Sequence, residues 1–205
     1  MKDSWNDYLV DNTDVLKNKF NITNDKELHE KEKEIVLEKL VLLDIDPIKG
    51  NFDVEHLKKI HEFLFSDIYF FAGEFRTCTL AKTTRNFYDP ALIEDLLNKA
   101  LDELKSKSND ILEKRMYSYV LATIYYELMS IHPFREGNGR SVREFLKEFV
   151  RWKNKDFNEE YELDFTKMDK DLFLKAVEYR YYYPSLLEEE FYKALSIVNK
   201  SKKID

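Results

Sequence analysis

Cysteine is nearly absent from this chain. Cys78 stands alone among 205 residues, so no internal disulfide can form and a reducing cytosol suits the protein. Cys78 itself reads as a small apolar filler, not a nucleophile. Glycine and proline are scarce as well, at four each, which argues for long helices and against a turn-rich β fold. No apolar run approaches the roughly 18 residues that a membrane span needs. The charged N-terminus lacks the apolar core of a secretory signal. These absences predict a cytoplasmic protein with no membrane partner; the same composition leaves delivery into another cell open. Positive charge is not in excess either. The net charge is −7, which disfavours general nucleic-acid binding. His29, His56 and His61 are widely spaced and have no cysteine partner, so a zinc site is not expected. His56 and His61 are expected to serve packing or hydrogen bonding.

Packing material is plentiful, with 15 Phe and 13 Tyr. The length suits a single domain over 1–205, with its core in about 20–195 and a frayed tail at 200–205. The pattern is mainly α. Asn24 with Glu27 reads as a capping box ahead of Leu28, Ile35, Val36, Leu40 and Leu43. Asp53 caps a helix bearing Val54, Leu57, Ile60 and Leu64. Asp89-Pro90 opens another, with Leu92, Leu96, Leu97, Leu101 and Leu104 inward. Leu112, Met116, Val120, Ile124 and Leu128 form a further stripe. Pro184 opens the last helix, with Leu187, Phe191, Leu195 and Val198 inward. Tyr179–Tyr183 is read as a helix end packed on the core, and Glu188–Glu190 as a solvated face. The exception to helix is residues 74–88. There Phe75–Leu80 is rich in strand formers, Ala81–Asn86 reads as a turn, and Phe87-Tyr88 returns, giving a short β-hairpin.

The densest chemistry lies at His132-Pro133-Phe134-Arg135-Glu136-Gly137-Asn138-Gly139-Arg140, with Arg143 following. Pro133 biases His132 away from the helical region, so the preceding helix ends near His132. Val142, Phe145, Leu146, Phe149 and Val150 start a new helical stripe. Gly137-Asn138-Gly139 therefore sits at a helix N-terminus, where backbone N–H groups and the helix dipole favour anions. Arg140 and Arg143 oppose that dipole by roughly 0.3–1 kcal/mol each. They share one face, a poor helix start and a good polyphosphate grip. Glu136 offers a hard oxygen for Mg²⁺. His132 offers a base at the other end of the loop. From spacing alone, a plain helical hairpin or a helix-turn-helix that reads DNA through Ser141–Lys155 fits as well.

These nine residues resemble the signature of the Fic family, His-Pro-Phe-x-[Asp/Glu]-Gly-Asn-Gly-Arg, with its usual second arginine at Arg143. Asn51–Leu57 and Ile60–Phe65 resemble the family's helix ahead of the core. Tyr69–Arg76 resembles its Tyr-x-Trp-Ala-Gly-x-x-Arg segment, with Phe71 in place of tryptophan. The similarity covers about residues 20–195. It implies a Fic-fold helical bundle with a short β-hairpin flap. It further implies transfer of AMP from ATP to Ser, Thr or Tyr hydroxyls of a target protein, in some relatives as the toxin of a toxin–antitoxin pair.

The resemblance makes His132 the general base, Phe134 the anchor of the loop and Glu136 the Mg²⁺ ligand. Gly137, Asn138 and Gly139 become the phosphate cradle, through backbone N–H groups and the Asn side chain. Arg140 and Arg143 become the grip on the leaving pyrophosphate. Lys82, Thr83 and Thr84 fall on the flap that docks the target by strand pairing. Relatives with altered motifs transfer other phosphate-containing groups; the unaltered motif here points to AMP. Many Fic proteins are inhibited by a glutamate in [Ser/Thr]-x-x-x-Glu-[Gly/Asn] that pairs with the second arginine. Thr23…Glu27 and Ser185…Glu189 match it only in part, so a separate small antitoxin-like partner is expected to supply the glutamate.

Overall fold

The computed structural model describes residues 5–82, 85–111, 113–157 and 159–198. Leu112 and the tail at 200–205 lie outside them. The helices are α1 (Asp25–Ile45), α2 (Val54–Phe65), α3 (Ile93–Lys107), α4 (Lys114–Ile131), α5 (Asn138–Lys153), α6 (Lys170–Glu178) and α7 (Pro184–Ala194). Two small antiparallel pairs join them: β1 (Ala81–Lys82) with β2 (Arg85–Asn86), and β3 (Glu160–Leu163) with β4 (Leu195–Val198). The chain divides into two compact units, residues 1–98 with 129–142, and residues 99–128 with 143–205.

In the first unit, α1 begins where the Asn24 side chain accepts the Glu27 N–H, and α2 begins where Asp53 accepts that of His56. Both caps satisfy a donor that the helix itself leaves open. α1 and α2 pack together. Leu28, Val36 and Leu43 are buried on α1, and Leu57, Ile60, Leu64 and Phe65 on α2. Asp89 accepts the Ala91 N–H, but the turn it opens, Pro90–Leu92, is a 3₁₀ turn. The tighter repeat shifts the phase, so Ile93 is buried and Leu92 is exposed, contrary to expectation. The hairpin is also shifted. Its paired strands lie within the segment read as the turn. Phe75–Thr79 are not part of them, because the Arg76 N–H goes to the Pro133 carbonyl at 2.9 Å, while the Leu80 carbonyl accepts the Phe87 N–H at 3.1 Å next to the paired strands. Cys78, Leu80 and Phe87 form a buried cluster at the base, with Tyr8 against it.

The second unit is built on aromatic packing. The Tyr125, Phe165, Phe173 and Phe191 rings meet at 5.3–6.4 Å. The stripe on α4 runs through Tyr117, Val120, Leu121, Ile124 and Leu128, while Met116 is exposed. α7 stops at Ala194, and the residues expected to continue it, Leu195–Val198, form β4 instead. Ile197 and Val198 are β-branched, and β3 presents them with a partner strand. Tyr179–Tyr183 also departs from expectation. Tyr179 accepts the N–H groups of Tyr182 and Tyr183, so these residues make the surface turn between α6 and α7. Four of their tyrosines are exposed. Within Glu188–Glu190, Glu190 is fully buried, where it accepts the Asp169 N–H and pairs with Lys193.

Candidate active site

The site begins at the end of α4. His132 follows the last helical residue with φ +51°, a left-handed conformation that glycine adopts far more readily. Such a residue costs of order 1–3 kcal/mol unless its surroundings impose it. Here they do. Arg76 is buried, and its guanidinium donates to the carbonyls of Ile131, His132, Cys78 and Tyr88 at 2.7–3.2 Å. It thus caps the C-terminal carbonyls of α4 and ties the base of the flap to the loop. No carboxylate is needed, because four oxygens share the charge; burial still pushes the Arg76 pKa below its usual value. The His132 ring stacks on Phe87 at 4.0 Å. That contact places the imidazole against the flap's buried base.

The loop itself is anchored from within. Phe134 is fully buried and stacks on the His61 ring at 3.8 Å. Asn138 accepts the Phe134 N–H at 2.9 Å and donates to the Phe134 carbonyl at 2.8 Å. Its side chain, the one assigned to the phosphate cradle by the resemblance, thus closes the loop. Gly137 has φ +80°, and a Cβ there would meet the Phe65 ring at 2.4 Å. Only glycine fits, for both reasons.

His61 links this loop to the Tyr69–Arg76 segment. Its Nδ1 accepts the Gly73 N–H at 2.8 Å, so its Nε2 carries the proton and donates to the Glu136 carbonyl at 2.9 Å. Burial, with Arg140 nearby, pushes the His61 pKa down to about 4, against the hydrogen bond to Glu136. The histidine is therefore a neutral structural bridge that fixes the backbone of Glu136.

The charged groups are gathered around Arg140 in the first turn of α5. Glu136 Oε1 accepts the Gly137 N–H at 2.8 Å and lies 3.4 Å from Arg140 Nη2. Arg140 Nη1 donates at 2.5 Å to Glu32, a buried carboxylate on α1. Sequence reasoning missed Glu32. The signal was present: Glu32 lies four residues from both Leu28 and Val36, on the apolar stripe of α1. A carboxylate there must find a partner. Arg143, further along α5, belongs to the second unit. There it hydrogen-bonds Tyr125, whose pKa burial pushes up against that bond. Of the flap residues, Lys82 pairs with Arg85 in the β1–β2 register. Thr83 and Thr84 lie outside the described residues.

Residues 51–150 match the Fic/DOC family. The chain is 30% identical over 167 residues to the probable protein adenylyltransferase y4lH of Sinorhizobium fredii, covering 80% of this chain and 82% of that protein. The chain belongs to the Fic/DOC family. It is also 30% identical over 176 residues to the protein adenylyltransferase VbhT of Bartonella schoenbuchensis, where it spans 85% of its own length but only 36% of that protein. The fold agrees with the crystal structure of the BepC protein of Bartonella tribocorum with bound AMPPNP. The TM-score is 0.84 at 23% identity, over 95% of this chain and 98% of that one.

Proposed function

We propose that the chain is a protein adenylyltransferase that moves AMP from ATP to a hydroxyl of a target protein. The observation that carries this reading is the intact loop from His132 to Arg140, with the His132 ring stacked on buried Phe87 and Arg140 paired with buried Glu32. The relatives named for the same activity support it.

In this reading His132 takes the proton of the incoming Ser, Thr or Tyr hydroxyl. The hydroxyl oxygen bonds to the α-phosphorus, the bond from that phosphorus to the bridging oxygen breaks, and pyrophosphate leaves. The N–H groups of Gly137, Asn138 and Gly139 cradle the phosphates, and Arg140 and Arg143 offset the charge of the departing pyrophosphate. Positioning and charge neutralisation supply most of the rate in such displacements.

The residues also fit Mg²⁺. Among the described residues no cluster of three or more His, Cys, Asp or Glu could cage a metal. Mg²⁺ that travels with nucleotide phosphates needs only one or two carboxylates. Glu136, with its side chain 44% exposed, supplies one. Bound there, the ion would neutralise phosphate charge.

Target proteins would dock by strand pairing along the hairpin, and Lys82, Thr83 and Thr84 are the residues proposed for that contact. No helix among the described residues is long and apolar enough to cross a membrane. A cytoplasmic setting is part of the same reading, since a chain with one cysteine can form no internal disulfide. Control is assigned to a separate small antitoxin-like partner that brings a glutamate to Arg143. In support, Glu27 is exposed at the capped start of α1, and Glu189 is paired with Arg115 at 2.6 Å. Glu27→Gly and Glu189→Gly should therefore leave AMP transfer unchanged; a large rise in either would place the brake inside the chain.

The test of the activity is incubation with Mg²⁺, a cell lysate and ATP labelled at the α or the γ position. Label from the α position on a protein band is the expected result. Label only from the γ position would mean kinase chemistry.

A further inference from the structure

We infer that Glu32 is a positioning residue that holds Arg140 for phosphate binding, backed by Tyr69. The inference rests on the reading of Arg140 as a phosphate ligand. Glu32 lies outside the residues that match the family, 51–150, so no motif assigns it a part.

Arg140 is awkwardly placed. It stands in the first turn of α5, where the helix dipole repels a cation. Its guanidinium lies over the Phe65 ring, 4.7 Å from the centroid, and its side chain is 23% exposed. Without Glu32, the nearest carboxylate is that of Glu136, already 3.4 Å from Nη2. An arginine that closed on Glu136 would tie up the proposed metal ligand and withdraw itself from phosphate. Glu32 prevents this by taking Nη1.

Glu32 is built to stay where it is. Its side chain is 5% exposed. Its Oε2 accepts the Tyr69 hydroxyl while Oε1 takes Arg140, so both carboxylate oxygens are engaged. Burial, with Glu32 itself close by, raises the Tyr69 pKa, which keeps the phenol a donor. The Tyr69 ring is in turn stacked on Phe71 at 4.8 Å. A carboxylate fixed on both oxygens and shut away from solvent is a strut. An inhibitory glutamate, by contrast, must give way when nucleotide arrives.

The experiment is calorimetric titration of the full chain with AMPPNP in the presence of Mg²⁺, with melting curves to check folding. Glu32→Gln keeps the shape and removes the charge. It should weaken binding about five- to thirtyfold and raise the Mg²⁺ needed for half-saturation, the loss expected when a hydrogen bond between charged groups becomes one to a neutral amide. Tyr69→Phe, a milder change, should weaken binding in the same direction by about two- to fivefold. In an Arg140→Gln background, Glu32→Gln should add no further loss, because the two act as a unit. A merely structural glutamate would add its full effect in both backgrounds. Unchanged or tighter binding by either single variant, or additive losses, would overturn the link while the reading of the site stands. A wild-type chain that binds no AMPPNP would overturn the reading of the site and the link with it.

Discussion

His132 shows how much a single position can be asked to do. It ends a helix in a backbone conformation that suits glycine, yet its side chain carries the proposed base. A glycine would relieve the backbone and remove the chemistry. Arg76 resolves the conflict by binding the carbonyls on either side of the residue's Cα. Because the proposed base would act on the incoming hydroxyl and not on the phosphates, His132→Ala should lower AMP transfer on the order of 10²–10⁴-fold. Binding of AMPPNP, read by calorimetry, should remain; equal transfer by the variant would remove His132 from the mechanism. At this scale the identity of the groups was legible, since the motif places them within a dozen residues. Their partners were not. Arg76 reaches His132 across 56 residues and Glu32 reaches Arg140 across 108. The stripe of α1 shows that Glu32 needs a partner, but at such separations no local pattern says which.

Among the elements, what was legible was what is local. Asn24, Asp53 and Asp89 each cap the turn that follows, as their side chains dictate. The misplaced elements are those settled by distant partners. Leu195–Val198 carries a helical stripe and a β-branched pair at once, and β3 decides between them. Phe75–Leu80 has the composition of a strand but spends a backbone donor on the motif loop. The hairpin's base is nonetheless well tied. Tyr8 bonds the Thr77 hydroxyl at 2.9 Å and accepts the Thr77 N–H at 3.2 Å. Proline at Thr77 or Thr79 removes a backbone donor next to the flap. Such variants should lose modification of protein targets more than binding of ATP, in parallel gel and calorimetric assays. Equal losses in the two would make the hairpin a structural element only.

On the scale of the whole molecule, the site couples to stability through His61. Its folded pKa of about 4 lies below its ordinary 6.5. The unfolded chain therefore binds a proton between those values and the folded chain does not. The contribution of the neutral bridge is fully present above pH 6.5 and is lost as pH falls through the window. The slope is about 1.4 kcal/mol per pH unit, or about 3 kcal/mol in all. Urea unfolding of the wild type and His61→Gln at pH 7.5 and 4.5 measures this. The stability gap between the two proteins should narrow by about 2–3 kcal/mol at the lower pH. A gap independent of pH would mean that His61 titrates normally and that the Gly73–His61–Glu136 bridge is not held in the neutral form.

The scarcity of cysteine has a practical side. The single thiol lies in the cluster of Cys78, Leu80 and Phe87, under Tyr8 and next to the ring that carries His132. A thiol reagent can reach it only when that cluster opens, so the rate of alkylation is a clock for transient opening at the root of the flap. Tyr8→Ala removes both the cover and the tie to Thr77, and should quicken alkylation about tenfold or more at unchanged melting temperature, a free-energy difference of about 1.4 kcal/mol in opening. An unchanged rate would mean that reagent enters by global unfolding. The chain thus carries, unlabelled, a kinetic probe of how often the proposed docking surface comes loose from His132.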